Sequence, residues 1–348
     1  MPSSVVRFSL STLLLASCQP RSVPGEAPKI RPPTEEPTRV ERPPSSFEAT
    51  STEDPTSAES SPPFATTSFA PGTKKGIAAV GYQLYPGSSG AHYTLSQGQA
   101  VLDDAKPHFW YDYTFSESIS PPVAPNGGVY MPMFWDLLGR QYRDAPVFDD
   151  AHISIAASIA GPDGYIMFLN EPYNGTPGVD AGAVDPVEAA KAWEQLASHP
   201  DVIANDIRLV APGWTNGGNA PSWHERFWAN ITRKPDVLSV HLYTGDSVPA
   251  EQGAADILRG VRTLMAQHPG FPVMITELGI GSHPTPQQTE DLWDALIPAL
   301  ELEPRIAAYC WFYGGPRNIQ AFSSWTTALY NDDGTPTSIG AYYRDNFP

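Results

Sequence analysis

Apolar positions divide the chain into three regimes. The first is a single short run, Phe8 to Ala16 (FSLSTLLLA), behind a weakly basic lead. The second, from Gln19 to about Gly72, is poor in Leu, Ile and Val and holds neither Trp nor Tyr. In the third, short β-rich runs recur, each followed by a turn and usually by a helical pattern. The predicted strands are Gly76–Val80, His108–Tyr111, Val129–Met133, Tyr165–Leu169, Ile207–Val210, Val237–Val240, Pro272–Ile275 and Ile306–Trp311. Uninterrupted apolar runs suit strands covered on both faces, as in a parallel sheet. Pro186–Leu196 and Thr289–Leu296 show helical spacing. Strand starts recur about every 30 to 40 residues, the pitch of an eight-fold βα barrel of typical length. The gap between the second and third strands, roughly 20 residues, is too short for a full crossover helix.

Composition sharpens this division. The chain has 348 residues, 38 of them proline, about double the usual share. Pro, Ser, Thr and Glu dominate residues 19–72, which cannot bury enough apolar area to offset their ordering entropy. A disordered, extended spacer is expected there. The apolar run ahead of it, about 9 residues, is far short of the roughly 20 that span a bilayer and has the length of a signal-peptide core. Its ending, Leu15-Ala16-Ser17-Cys18, resembles the bacterial lipobox, which implies a lipidated Cys18. The expected organisation is a lipoprotein signal peptide at 1–18, a linker at 19–72 and one globular domain at 73–348. An exported protein anchored to the bacterial cell envelope follows. With Cys18 acylated, Cys310 is the one cysteine left, so no intrachain disulfide forms. The net charge of −17 repels polyphosphates and argues against a nucleic-acid partner.

Candidate chemistry falls at the predicted strand ends, where a barrel of this kind keeps its active site. The fourth strand ends Leu169-Asn170-Glu171-Pro172 and the seventh Ile275-Thr276-Glu277-Leu278-Gly279. The fifth leads into Trp214, the sixth into His241-Leu242-Tyr243, and the eighth carries Trp311. Two carboxylates at matching strand tips are what glycoside cleavage needs, one protonated to release the leaving oxygen and one ionised. Trp and Tyr offer a sugar flat apolar faces with a polar handle.

Plainer readings account for other residues. Glu188, Glu194, Glu290 and Asp291 fall on solvated helix faces, and Trp193 and Trp293 on apolar stripes that read as core. The eight histidines show no HxH or HExxH spacing, so neither a metal nor another cofactor is expected. Asn331-Asp332-Asp333-Gly334 lacks the remaining ligands of a calcium loop and reads as a turn.

Taken together, Trp110-Tyr111-Asp112-Tyr113, Met131-Pro132-Met133-Phe134-Trp135, Phe168-Leu169-Asn170-Glu171-Pro172, Val240-His241-Leu242-Tyr243 and Ile275-Thr276-Glu277-Leu278-Gly279 resemble the Asl1-like glycosyl hydrolases, glycoside hydrolase family 128. The closing stretches Ala328–Gly334 and Gly340–Tyr343 resemble that family's C-terminal signature. The resemblance implies a TIM (β/α)8 barrel and a retaining β-glycosidase, usually acting on β-1,3-glucan. By matched position Glu171 would be acid/base and Glu277 nucleophile. Asn170 would bind the sugar 2-hydroxyl, His241 and Tyr243 would line the floor, and Trp311 would stack on a ring. Trp110, Tyr111, Trp135 and Trp214 complete the expected substrate contacts. The family's second strand usually ends in an aromatic-Asn-Trp-like run, which Tyr111-Asp112-Tyr113 replaces here. The expectation is a monomeric endo-β-1,3-glucanase. A hydrolase of another β-linked polysaccharide and a non-catalytic polysaccharide-binding lipoprotein stand as alternatives.

Overall fold

The computed structural model describes residues 69–80, 93–113, 115, 121, 123–137, 147–173, 183–215, 220–281, 283–315 and 326–348. The lipobox with Cys18 and nearly all of the expected spacer lie outside the described residues. Nine short strands follow in chain order: β1 (Lys75–Ala78), β2 (Phe109–Tyr111), β3 (Val129–Tyr130), β4 (Met133–Phe134), β5 (Tyr165–Phe168), β6 (Arg208–Val210), β7 (Leu238–Thr244), β8 (Val273–Ile280) and β9 (Ile306–Phe312). Every ladder between them is parallel. One sheet has the order β3-β2-β1-β9-β8-β7 and a second the order β4-β5-β6. Isolated parallel bridges, Val210 to Val237 and Trp214 to Val240, join the β6 and β7 segments.

The expected third strand is divided. Its first half pairs with β2 and its second half with β5, and the break falls at Met131-Pro132. Pro132 has no N–H to give, but its carbonyl still accepts from Met167 N at 2.9 Å. No helix among the described residues separates β2 from β3, in keeping with the short gap between them. β7 and β8 run on past their apolar cores, to Thr244 and Ile280. The polar residues expected just beyond these strands therefore lie within them.

Helices α1 (Leu95–Ala105), α2 (Asp150–Ala160), α3 (Pro186–Ser198), α4 (Pro200–Ala204), α5 (Ala220–Asn230), α6 (Ala250–Gln267), α7 (Pro286–Leu302) and α8 (Ser338–Asn346) fill the intervals. Local chemistry fixes their starts. Asp185 accepts from Val187 N with Pro186 opening α3, and Thr285 makes a reciprocal capping box with Gln288 ahead of α7. That box starts α7 three residues before the expected Thr289. At its far end the buried Lys74 donates to the carbonyls of Leu300, Glu301 and Glu303, tying the start of β1 to the last turn.

Both faces of the strands are covered. One set of side chains, including Tyr111, Met133, Met167, Met274, Cys310 and Phe312, packs together in a central cluster. The alternate set packs outward on the helices: Trp110 with Leu102 of α1, Trp311 with Trp293 of α7, and Phe168 with Trp193 of α3. At roughly 1.5–3 kcal/mol for each fully buried large apolar side chain, these two layers supply the main stabilisation. They also decide which strand residues can reach a substrate.

Candidate active site

The site is assembled from the ends of β5, β7 and β8 and from the residue two past β2. After β5 the backbone turns sharply. Leu169 and Glu171 hold left-handed conformations, φ 55° and 42°, on either side of Asn170. Such conformations cost about 1–3 kcal/mol each for non-glycine residues and persist only where neighbours impose them. Here Leu169 N donates to Phe134 O at 2.8 Å, Asn170 N to Trp135 O at 3.0 Å, and Gly213 N to Leu169 O at 3.1 Å. The turn aims Glu171 back across the strand ends.

On the facing strands a register shift does the equivalent work. Val240 pairs with Ile275, but after the shift His241 pairs with Glu277 rather than with Thr276. A bulge re-aims side chains in this way. His241 Nδ1 then lies 2.8 Å from Glu171 Oε1 and 3.4 Å from Glu277 Oε2, one imidazole nitrogen between two carboxylates. Glu277 accepts two further hydrogen bonds, from Tyr243 OH to Oε2 at 2.6 Å and from Tyr113 OH to Oε1 at 2.9 Å. Beneath it, Tyr111 OH donates to Thr276 O at 2.8 Å, and Thr276 Oγ1 lies 2.6 Å from Ser239 Oγ.

Two glycines make room for this. A Cβ on Gly213 would stand 2.6 Å from His241 Nε2, and one on Gly279 would stand 2.5 Å from Tyr243 Cε1. No side chain fits at either position without displacing the ring that belongs there.

Burial raises the Glu277 carboxyl above the ordinary carboxylate range. The charge of Glu171 adds to this, while His241 and the two tyrosine hydroxyls pull the other way. For His241 burial acts downward, but the charges of Glu277 and Glu171 prevail and raise it. Burial and the neighbouring Glu277 hold the Tyr243 hydroxyl protonated well above its usual range, so it donates to Glu277 at any working pH. Behind Gly213, burial drops His224 to about 3, against a hydrogen bond with the Gly213 backbone. That imidazole is neutral.

Glu171, Glu277, His241 and Tyr243 converge as the sequence suggested. Asn170 lies beside them, half-buried, with its Oδ1 buried and without a hydrogen-bond partner. Trp135 is half-buried, packed against the central cluster at the end of β4. Trp214 is buried, edge-on to His224, and contributes its carbonyl, which accepts from His241 N at 2.7 Å.

Three expected substrate contacts are corrected. Trp110 and Trp311 have no exposed area and face the helices, because side chains along a strand alternate. Tyr111 is equally buried and supports β8 from below. Trp311's inward neighbour, Phe312, is the residue whose ring lies against Tyr113 and Tyr243, at centroid distances of 6.4 and 6.1 Å. The sequence reading missed Tyr113, Gly213, Gly279 and Phe312 as site residues. For Tyr113 a signal existed, since it shares the parity of Phe109 and Tyr111, one layer nearer the mouth.

Among the described residues, Glu171, His241 and Glu277 form the cluster able to hold a cation, with ligand atoms within 4.8 Å of one another. Their chain positions show none of the spacings by which such a set is recognised. Two close carboxylates in different surroundings, an imidazole between them and phenol donors on one, are the equipment for cleaving an acetal.

Comparison with known proteins agrees with that chemistry. Residues 90–343 match the family described as "Glycosyl hydrolase catalytic core". The chain belongs to that family and is a glycoside hydrolase. Among solved structures, an endo-β-1,3-glucanase of glycoside hydrolase family 128 from Sorangium cellulosum is 24% identical, with a TM-score of 0.58, over 78% of this chain and 98% of its own. A family 128 exo-β-1,3-glucanase from Aureobasidium namibiae is 17% identical, with a TM-score of 0.57, over 79% and 97%. A family 128 endo-β-1,3-glucanase from Amycolatopsis mediterranei, in complex with laminaritriose, is 25% identical, with a TM-score of 0.54, over 78% and 99%. The resemblance to family 128 carried by the strand-end motifs is borne out. No curated protein matches the chain.

Proposed function

We propose that the chain is a retaining endo-β-1,3-glucanase working through Glu171 and Glu277 on a (β/α)8 barrel. The barrel reading rests on the strand order. β3 and β4 are adjoining parts of one segment, and the bridges from β6 to β7 meet the other end of the two sheets. The substrate reading rests on the similar solved structures, which include endo- and exo-acting β-1,3-glucanases.

The observation that carries the mechanism is the closeness of the carboxylates, with an oxygen of each within 4.8 Å of the other. Retention needs carboxyl groups about 5–5.5 Å apart, whereas inversion needs about 6.5–9.5 Å to admit a water between them. In the first step Glu171, protonated, gives its proton to the glycosidic oxygen while Glu277 attacks the anomeric carbon and the leaving chain departs. In the second, Glu171 takes a proton from water, the water oxygen attacks the same carbon, and Glu277 leaves as carboxylate. Tyr113, Tyr243 and His241 keep Glu277 aimed and favour its ionised form against burial. Asn170, with its unpartnered Oδ1, is placed to accept from the sugar 2-hydroxyl, and Trp135 offers a partly open ring for stacking. The lipobox reading adds a tether at Cys18, with the spacer giving the catalytic domain reach.

Glu171→Ala and Glu277→Ala each abolish release of reducing sugar from laminarin-type glucans. NMR of the first product shows the β-anomer. Near-normal rates in both variants would end the two-glutamate reading, and an initial α-anomer would end retention. A panel of β-1,3-, β-1,4- and β-1,6-glucans tests the linkage. Cys18→Ala moves the protein from the membrane to the soluble fraction; unchanged membrane association would end the tether reading.

A further inference from the structure

We propose that Glu171, His241 and Glu277 together bind a divalent transition-metal cation of the zinc type, reversibly, and that the bound ion blocks the cleft. The proposal rests on the geometry of three side chains and does not depend on the glucan being the substrate. His241 Nδ1 is 2.8 Å from Glu171 Oε1 and 3.4 Å from Glu277 Oε2, and the three ligand atoms lie within 4.8 Å of one another. A tetrahedral ion bound at about 2.0–2.2 Å sets its ligand atoms about 3.4 Å apart. The 3.4 Å pair already fits, the 2.8 Å pair must open by about 0.6 Å, and the two carboxylates must close from at most 4.8 Å by up to about 1.4 Å.

The donor set selects the ion. One imidazole with two carboxylates suits zinc and its neighbours in the first transition row, whereas calcium takes 6–8 oxygens. Charge points the same way. His241 and Glu277 expose only 1% and 7% of their side chains, and Glu171 13%, so any charge the two carboxyls carry is screened by little water. A dication on two carboxylates and a neutral imidazole makes that cluster electrically neutral. Tyr113 and Tyr243 already orient Glu277 through hydrogen bonds, as outer-sphere groups do around ligating carboxylates. Glu171 is the most exposed of the three side chains, at 13%.

One feature limits affinity and makes the ion an inhibitor rather than a resident cofactor. A ligating histidine usually donates its second ring N–H to an acceptor. With Nδ1 on the metal, that proton sits on His241 Nε2, which is buried against Gly213 without a hydrogen-bond partner. Loss of such an outer-sphere bond costs about 10- to 100-fold in metal affinity. On the two-glutamate reading the ion occupies both carboxylates that the reaction uses, so occupation and turnover exclude each other.

The test uses the full chain stripped with chelator. Co2+ serves as a spectroscopic probe through its visible d–d bands and Zn2+ is titrated by calorimetry. The expected result is one equivalent of either ion, bands of a tetrahedral nitrogen–oxygen site, and weakening as pH falls. Glu277→Gln and His241→Gln each lower affinity at least 10-fold, with circular dichroism confirming an intact fold. Glu171→Gln, at the most exposed of the three positions, repeats the comparison if either buried variant fails to fold. Absence of stoichiometric Co2+ bands, or bands unchanged in the folded variants, overturns the proposal. If Co2+ binds as described but no β-1,3-glucan is cleaved, the metal site stands and the glucanase reading alone fails.

Discussion

Gly279→Ala isolates the positioning of Glu277 from its chemistry. The new Cβ would stand 2.5 Å from Cε1 and 2.7 Å from Cδ1 of Tyr243. Ordinary carbon contacts are about 3.5–4.0 Å, so the ring must retreat by roughly 1 Å. The hydrogen bond from Tyr243 OH to Glu277 Oε2, now 2.6 Å, then stretches past the range in which such bonds hold. Hydrogen bonds to charged groups are worth about 1.5–3 kcal/mol, equivalent to roughly 10- to 150-fold in rate if the bond acts in the transition state. Stability should barely move. The Tyr243 residue is 37% exposed, so its ring swings into solvent instead of into packed core. Gly279 holds no left-handed φ, so alanine adds no backbone strain. Kinetics on laminarin-type glucan, run beside thermal unfolding, therefore show kcat down by one to two decades at nearly constant Tm. Tyr243→Phe reproduces the loss, and the double variant is no worse than either single one, because both remove the same bond. Full kcat in Gly279→Ala, or losses that multiply in the double variant, would refute the reasoning.

Other predictions concern neighbouring groups. Tyr113→Phe removes the donor on the other oxygen of Glu277 and lowers kcat by roughly one decade, at the low end of the range for a hydrogen bond to charge. An unchanged kcat would leave Tyr113 a packing residue. The acid limb of the pH–kcat/KM profile follows ionisation of Glu277, which burial raises above the ordinary value of 4.5, so activity is lost on acidification earlier than for an exposed glutamate. The tyrosine hydroxyls pull that value down, so Tyr113→Phe and Tyr243→Phe shift the limb to higher pH; a shift downward contradicts the assignment. The same shift governs stability. A carboxyl whose value is raised on folding favours the folded state most below its unfolded value and loses that contribution as pH rises through the folded one. Glu277→Gln should accordingly raise Tm at neutral pH, with the gain vanishing towards pH 4. Trp311→Ala costs about 3–5 kcal/mol of stability as a core truncation, whereas Trp135→Ala leaves Tm nearly intact and raises KM. The opposite pattern would restore Trp311 to the cleft.

Much of the architecture was legible because burial on both faces writes itself into a strand as an unbroken apolar run. The eight predicted runs are all found as strands, one of them divided at Pro132. Capping chemistry at Asp185-Pro186 and Thr285-Pro286 was there to be read as well. The two glutamates could be singled out because strand-end motifs are local. What the chain could not declare was orientation. Within a run that is apolar on both sides, parity has no polar marker, so Trp311 could not be told from the inward-facing Phe312, nor Trp110 from Tyr111, until their neighbours were known. The register shift that sets His241 opposite Glu277 arises between two strands and has no signature in either. The roles of Gly213 and Gly279 depend on rings contributed from another part of the chain. Local pattern thus determined which elements form and which residues carry the chemistry. Tertiary packing alone decided which side chains meet, because alternation, bulges and close approaches are properties of pairs of segments and not of one.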